Sequence, residues 1–203
     1  LYTAGELMFS PNDHSFAAST GRYAGRKAAD YTKQVGEIQI SKEQVAREKA
    51  RVYAPVKLSS GIDWKELNAG IAKAMQYFGS EYKTEAIMKL GLDMLQEIQE
   101  VHVPRLYALD PHKLMRSIED LSLLTHGQIV LQASLARKAS SRPLNFFRID
   151  YPEVDPPEWN KFVTVKLLDS GKVGVGELPF KYFGDMKANY EACNKDYTGV
   201  YKK

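Results

Sequence analysis

The stretch DPHKLMRSIEDLSLLTHGQIVLQASLARK, residues 110–138, sets the fold class. Asp110 followed by Pro111 is a helix start. The carboxylate accepts from first-turn N–H groups, and proline at the first helical position loses no hydrogen bond there. Leu114, Ile118, Leu121, Leu124, Ile129, Leu131 and Leu135 recur at helical spacing, which predicts one long helix to about Lys138. An apolar stripe of that length has to be covered, and two upstream stretches can cover it. Asp63-Trp64-Lys65-Glu66 caps a helix with Leu67, Ile71, Met75 and Phe78 on one face, ending at Gly79. A further helix starts at about Thr84 and carries Ile87, Leu90, Met94, Leu95, Ile98 and Val101, until Pro104 kinks or ends it. The expected fold is mainly α, with Asp63–Lys138 as an antiparallel three-helix bundle joined by short connections. Burying about a dozen aliphatic side chains at roughly 1.5–3 kcal/mol each offsets the chain entropy of a bundle this small.

Upstream of the bundle, Ser41-Lys42-Glu43-Gln44 has the pattern of a capping box. The helix it opens runs to about Tyr53, and its charges leave little apolar face beyond Val45 and Val52, so it reads as solvated. Gln34–Ile40 is a connector. The first thirty-three residues read as a short strand at 1–4, a turn at Gly5-Glu6, a polar loop from Ser10 to His14 and a helix rich in small residues. Such a helix start lets a flat ligand approach the backbone closely, and an ordinary packed corner has the same pattern. Downstream, residues 144–159 (LNFFRIDYPEVDPPEW) are aromatic and punctuated by proline, an extended segment that wraps over other elements. Lys161–Leu168 alternates as a strand, Asp169-Ser170-Gly171-Lys172 is a hairpin turn, and Val173–Leu178 returns. Residues 181–203 read as a polar arm with Tyr182, Tyr190, Tyr197 and Tyr201. The domains expected are therefore 1–40, 41–140 and 141–203.

Composition sets the outer bounds. The 203 residues are 44% hydrophobic and 26% charged, as in an ordinary globular chain. With 28 basic and 25 acidic side chains the formal charge is +3, too balanced for a nucleic-acid binder. A single cysteine, Cys193, excludes an internal disulfide framework and suits a reducing, cytoplasmic compartment. No apolar run approaches the roughly 20 residues that span a bilayer. His102, His112 and His126 form no i,i+4 pair, so no metal site is expected. The chain opens without methionine in what reads as an unpartnered strand, so a piece of a longer polypeptide is expected.

Two blocks carry a family resemblance. Leu1-Tyr2-Thr3-Ala4-Gly5-Glu6, with His14-Ser15-Phe16 and the run Gly21–Ala29 (GRYAGRKAA), resembles the last FAD-contacting segment of the succinate dehydrogenase/fumarate reductase flavoproteins. Within that family it looks closer to the adenylylsulfate reductase alpha subunit. Arg142, then Phe147-Arg148-Ile149-Asp150-Tyr151-Pro152-Glu153, then Trp159, resembles the element that follows the helical domain in the same family. The resemblance implies the C-terminal part of an FAD-dependent oxidoreductase subunit, preceded by a remnant of its FAD-binding domain. It implies Glu6 on the ribose or ribityl part of FAD, and Ser15, Phe16, Ala17 and Ala18 as the turn facing the flavin. The partners it implies are the remainder of the flavoprotein chain, an iron–sulfur electron-transfer subunit and a small anionic substrate. Ala18 stands near where succinate- and fumarate-handling members carry a substrate-binding arginine, which speaks against a dicarboxylate.

His14 is the candidate catalytic group, placed to donate a proton or to stabilise charge on a reduced flavin; a loop histidine bonded to backbone is the plainer use. Arg142 and Arg148 are open to two uses, binding an anionic substrate or pairing with Asp150, Glu153 or Asp155. No Gly-x-Gly-x-x-Gly occurs in the chain, so it is expected to bind FAD weakly or not at all by itself. The rival reading is a non-catalytic helical interaction module, docking a partner through its aromatic arm.

Overall fold

The computed structural model describes residues 2–5, 13–168, 170, 172–179 and 188. Two compact units divide the chain, Leu1–Lys49 and Ala50–Lys203. The first holds helix α1 (His14–Gln34), and helix α2 (Lys42–Val52) starts within it. Asp13 caps α1, its side chain accepting from the Phe16 N–H, and Ser41 caps α2 by accepting from the Gln44 N–H at 3.1 Å. Neither helix has a buried residue, as the charge pattern of α2 foretells. The strand expected at residues 1–4 is not there: residues 2–4 carry no strand geometry, and Leu1 lies outside the described residues. A strand needs a ladder partner, and among the described residues none lies beside this segment. The Tyr2 hydroxyl instead donates to the Lys27 carbonyl at 3.2 Å, and the ring meets Tyr31 edge-on at 6.5 Å.

The second unit runs α3 (Trp64–Phe78), β1 (Tyr82–Lys83), α4 (Glu85–Glu97), α5 (Pro111–Ala136), β2 (Phe147–Arg148), β3 (Lys161–Leu167) and β4 (Val173–Pro179). Asp63, Thr84 and Asp110 cap α3, α4 and α5 with their side chains, two of them where the sequence places a cap and Thr84 at the expected start of α4. Each of these helices packs on the other two. Leu67, Ile71 and Ala74 of α3, Met88 and Leu95 of α4, and Leu124 and Leu131 of α5 share one core with Ile62, Ile98 and Leu106. Past α4 the backbone loosens into a π-helical turn, Ile98–His102, then tightens into a 3₁₀ turn, Val103–Arg105, around Pro104.

The expected faces of α4 and α5 are buried in part. Leu95 and Ile98, and Leu124 and Leu131, are in the core as expected, while small and polar residues take other contact positions. On α4 the buried residues are Met88, Gly91 and Leu95, while Leu90 is 56% exposed and Val101 beyond it 49%. On α5 they are Ser117, Asp120, Leu124, Gly127, Leu131 and Ser134, while Ile129 is exposed. Close helix approach explains the difference, because small residues at the contact bring the backbones together. A Cβ on Gly91 would stand 2.5 Å from the Phe78 Cβ and 2.9 Å from the Leu131 Cδ1. The larger aliphatics are displaced to the flanks of the contact.

Downstream, β3 and β4 form the expected antiparallel hairpin, with Phe162 opposite Leu178 and Val165 opposite Val175. The Leu168 N–H donates to the Lys172 carbonyl at 2.9 Å to close it. Asp169 and Gly171 of the turn lie outside the described residues, as does the arm at 181–203, Cys193 included, apart from Ala188. No described helix is long and apolar enough to cross a membrane.

Asp120 is the one carboxylate in the helix contact. It is 2% exposed; Oδ1 accepts from Asn68 Nδ2 at 2.8 Å, and Oδ2 has no partner among the described residues. Burial pushes its pKa up, against the Asn68 hydrogen bond that pulls it down. A raised folded pKa gives stability that is present below 3.8 and lost as pH rises through the folded value. Asp120→Asn should therefore raise stability at pH 7 by about 1–2 kcal/mol, the cost of an unsatisfied buried acceptor. Urea denaturation should show that gain shrinking toward pH 3.

Candidate functional site

Two local constructions carry the residues singled out by the sequence. The first is the start of α1. Gly5 is buried with φ +63°, a conformation that favours glycine, and its N–H donates to Thr20 Oγ1 at 2.9 Å. Thr20 Oγ1 in turn donates to the Phe16 carbonyl at 2.7 Å. The chain is thus tied back onto the helix just before Glu6, which lies outside the described residues. His14 is the first helical residue and is exposed, rather than part of a loop. Ser15, Ala17 and Ala18 are exposed and Phe16 is half-buried.

Three donors of that turn are already engaged, the Phe16 and Ala17 N–H groups and the Ser15 hydroxyl. The Asp13 carboxylate accepts from the Phe16 N–H at 2.8 Å and the Ser15 hydroxyl at 2.7 Å, and the Asp13 carbonyl accepts from the Ala17 N–H at 3.0 Å. These bonds, the Phe16 N–H first, hold the Asp13 carboxyl below its usual range. Among the described residues, the turn presents the small side chains of Ser15, Ala17 and Ala18 outward.

The second construction is built on Arg148, which is 1% exposed. Its Nε and Nη2 donate to Asp150 Oδ1 and Oδ2 at 2.7 and 2.8 Å, a bidentate pair. Its Nη1 donates to the carbonyls of Ser134, Leu135 and Arg137 at 2.9, 3.2 and 2.8 Å. The guanidinium therefore caps the C-terminal end of α5, where helix carbonyls lack partners and cations are favoured. Asp150 Oδ2 accepts from the Glu85 N–H at 2.8 Å, so the carboxylate satisfies the N-terminal end of α4. One ion pair thus joins the positive end of one helix dipole to the negative end of another. The Arg148 hydrogen bond, then the Glu85 N–H, drive the Asp150 pKa down to about 2.

The backbone around this pair is fixed from both sides. Strands β1 and β2 run parallel, with Tyr82 against Phe147 and Lys83 against Arg148. Tyr82 and Phe147 stack at 5.2 Å, and the Arg148 guanidinium lies over the Tyr151 ring at 4.8 Å. Ser140 Oγ accepts from the Arg148 N–H at 2.9 Å and donates to the Tyr151 carbonyl at 3.0 Å. Arg142 remains exposed; its backbone N–H donates to Asp155 Oδ2 at 3.2 Å. Trp159 lies under Arg137 and Lys161, at 5.6 and 4.4 Å.

Lys83 and Ser140 escape a reading of the sequence. Lys83 is 7% exposed and donates to the carbonyls of Gly79 and Ser80 at the end of α3, with its ammonium over the Phe146 ring. Burial is the main cause of its lowered pKa. A lone lysine before a threonine cap carries no local signal of this; only the pairing of β1 with the distant β2 buries it.

No family model matches the chain. The succinate dehydrogenase flavoprotein subunit of Rickettsia bellii (strain RML369-C) is 25% identical over 164 residues, 78% of this chain and 27% of that protein. The chain is homologous, at low identity and over part of its length, to succinate dehydrogenase and fumarate reductase flavoprotein subunits. It spans about a quarter of the length of the curated flavoprotein subunits it matches. Its fold is that of solved chains of the same kind. Escherichia coli quinol fumarate reductase FrdA superposes with a TM-score of 0.70 at 22% identity, over 82% of this chain and 29% of that one. Mycobacterium smegmatis Sdh1 in complex with UQ1 superposes at 0.66 and 24% identity, over 78% of this chain and 27% of that one.

Removal of the guanidinium strands three carbonyls and a carboxylate. Arg148→Ala should cost about 3–5 kcal/mol in denaturant unfolding, the range for breaking one partner from a buried pair. Arg148→Lys should recover only part of it, since an ammonium cannot make the fork. The depressed pKa of Asp150 gives stability that is present above 3.8 and lost as pH falls toward 2. That loss should amount to about 2 kcal/mol, and Asp150→Asn should flatten the acid limb of the stability curve.

Proposed function

We propose that the chain is the C-terminal part of an FAD-dependent oxidoreductase subunit that exchanges electrons between flavin and a small anionic substrate. What carries this reading is the agreement of two comparisons, one by sequence and one by fold, over about four fifths of the chain. Bound FAD would supply the two-electron chemistry. In this reading Glu6 takes the ribose or ribityl hydroxyls, and Ser15 to Ala18 lie against the ring. The described residues fit a flat group through absence of bulk: Ala17 and Ala18 are exposed, and the Phe16 and Ala17 N–H groups are satisfied by Asp13. They supply a surface to rest on, and the remaining donors have to come from elsewhere in the complete subunit.

His14, at the first helical position and exposed, is the group available to move a proton at the substrate. Ala18 in the place of an arginine favours an anion other than a dicarboxylate, in keeping with a closer relation to adenylylsulfate reductases. Three helices that each pack on the other two support an antiparallel bundle. An iron–sulfur subunit is the electron partner in this reading, and the compartment is the cytoplasm.

The test is flavin content. The 203-residue chain mixed with FAD and desalted should emerge colourless, whereas the complete subunit containing it should retain about one flavin per chain. Reduction of that flavin by candidate anions should slow by roughly 10²–10⁴-fold in His14→Ala. A complete subunit that purifies without flavin and cannot be reconstituted with it would overturn the reading.

A further inference from the structure

The π-helical turn after α4 and the first turns of α3 enclose a pocket of about 320 Å³, lined by Ile62, Glu66, Leu67, Ile98, His102 and Arg105. A regular helix would carry residues 98–102 onward with i→i−4 bonds; the wider turn displaces them, and such turns are frequent at functional sites. Arg105 is held in place from the other side, its carbonyl accepting from the Ile62 N–H at 2.8 Å, while the Tyr107 N–H donates to the Ile62 carbonyl at 3.2 Å. The floor is apolar, for Ile62, Leu67 and Ile98 belong to the core cluster. The rim is not: Glu66, His102 and Arg105 line it. Glu66 and Arg105 carry opposite charges and line one pocket, yet they form no ion pair. None of the three side chains has a hydrogen-bond partner among the described residues.

We propose that this pocket binds a small zwitterion, an α-amino carboxylate with an aliphatic side chain. The ligand carboxylate takes the fork of Arg105 and an N–H of His102, the charge-assisted geometry that a guanidinium favours. Its ammonium takes Glu66, and its side chain covers the apolar floor. A ligand carrying both charges satisfies the two rim groups that do not reach each other. The volume lies at the small end of ligand pockets, which suits a metabolite rather than a cofactor.

The test is a ¹H–¹⁵N titration of the 203-residue chain with leucine, 3-methylbutylamine and 4-methylpentanoate, which present both head groups or one at a time. Leucine should give saturable shifts at Leu67, Ile98 and His102, and each single-charged analogue should bind roughly tenfold more weakly or worse. Arg105→Ala should abolish the response to 4-methylpentanoate and reduce leucine to the weak affinity of 3-methylbutylamine. Glu66→Gln should reduce leucine to the affinity of 4-methylpentanoate. Both positions are exposed, and far-UV circular dichroism checks that the variants keep the fold. Non-saturating shifts up to about 50 mM leucine, or saturable shifts that neither substitution alters, would overturn the assignment.

Discussion

The second unit depends on the ion pair between Arg148 and Asp150. Helices end with unpaired backbone groups, and a core packed from three helices has to place six such ends without stranding them. Serving two of those ends with a single side-chain pair solves more than a hydrogen-bond count. The guanidinium sits at the carbonyl end of α5 and the carboxylate at the amide end of α4, so each charge also opposes the helix dipole it meets. Lys83 does the same for the end of α3, and its strand lies beside the one that holds Arg148. Three helix ends are thus finished by a two-stranded ladder and the residues around it.

The helix contact itself runs on small and polar residues. Ser117, Asp120, Gly127 and Ser134 of α5 alternate with Leu124 and Leu131, so the contact is close rather than thick. This has an electrostatic consequence, since Asp120 is brought into the contact with one oxygen unsatisfied. It also leaves larger apolar side chains such as Leu90 and Ile129 on the flanks.

How far the sequence could be read follows from the range of each signal. Helix starts were legible because a cap acts over three residues: Asp63 and Asp110 cap where aspartate precedes a helical pattern, and the hairpin at 161–179 follows from strict alternation. The exposure of Leu90 on α4 was not, because large aliphatics dominate a periodicity count while Gly91, which sets the contact, contributes nothing to it. The strand expected at 1–4 failed because strand propensity is realised only against a partner. At the candidate site, the turn at Gly5 is local and was readable. The cap at Asp13, inside what read as a polar loop, was missed although its signal is equally local. The burial of Arg148 and Lys83 is not, since it arises from pairing between residues 65 apart, Tyr82 with Phe147 and Lys83 with Arg148. The homology to flavoprotein subunits was visible in two short blocks, yet neither block shows what its arginines touch.

That long-range pairing orders events during synthesis. α4 and α5 leave the ribosome with these ends unfinished, and the pair that completes them arrives only with Arg148 for α5 and Asp150 for α4, well after the core-forming leucines. A chain ending before Arg148 therefore lacks both partners, leaving the last carbonyls of α5 and the Glu85 N–H without the side chains that meet them here. The segment at 144–159, last of these elements in the chain, is thus the one that finishes the helices before it.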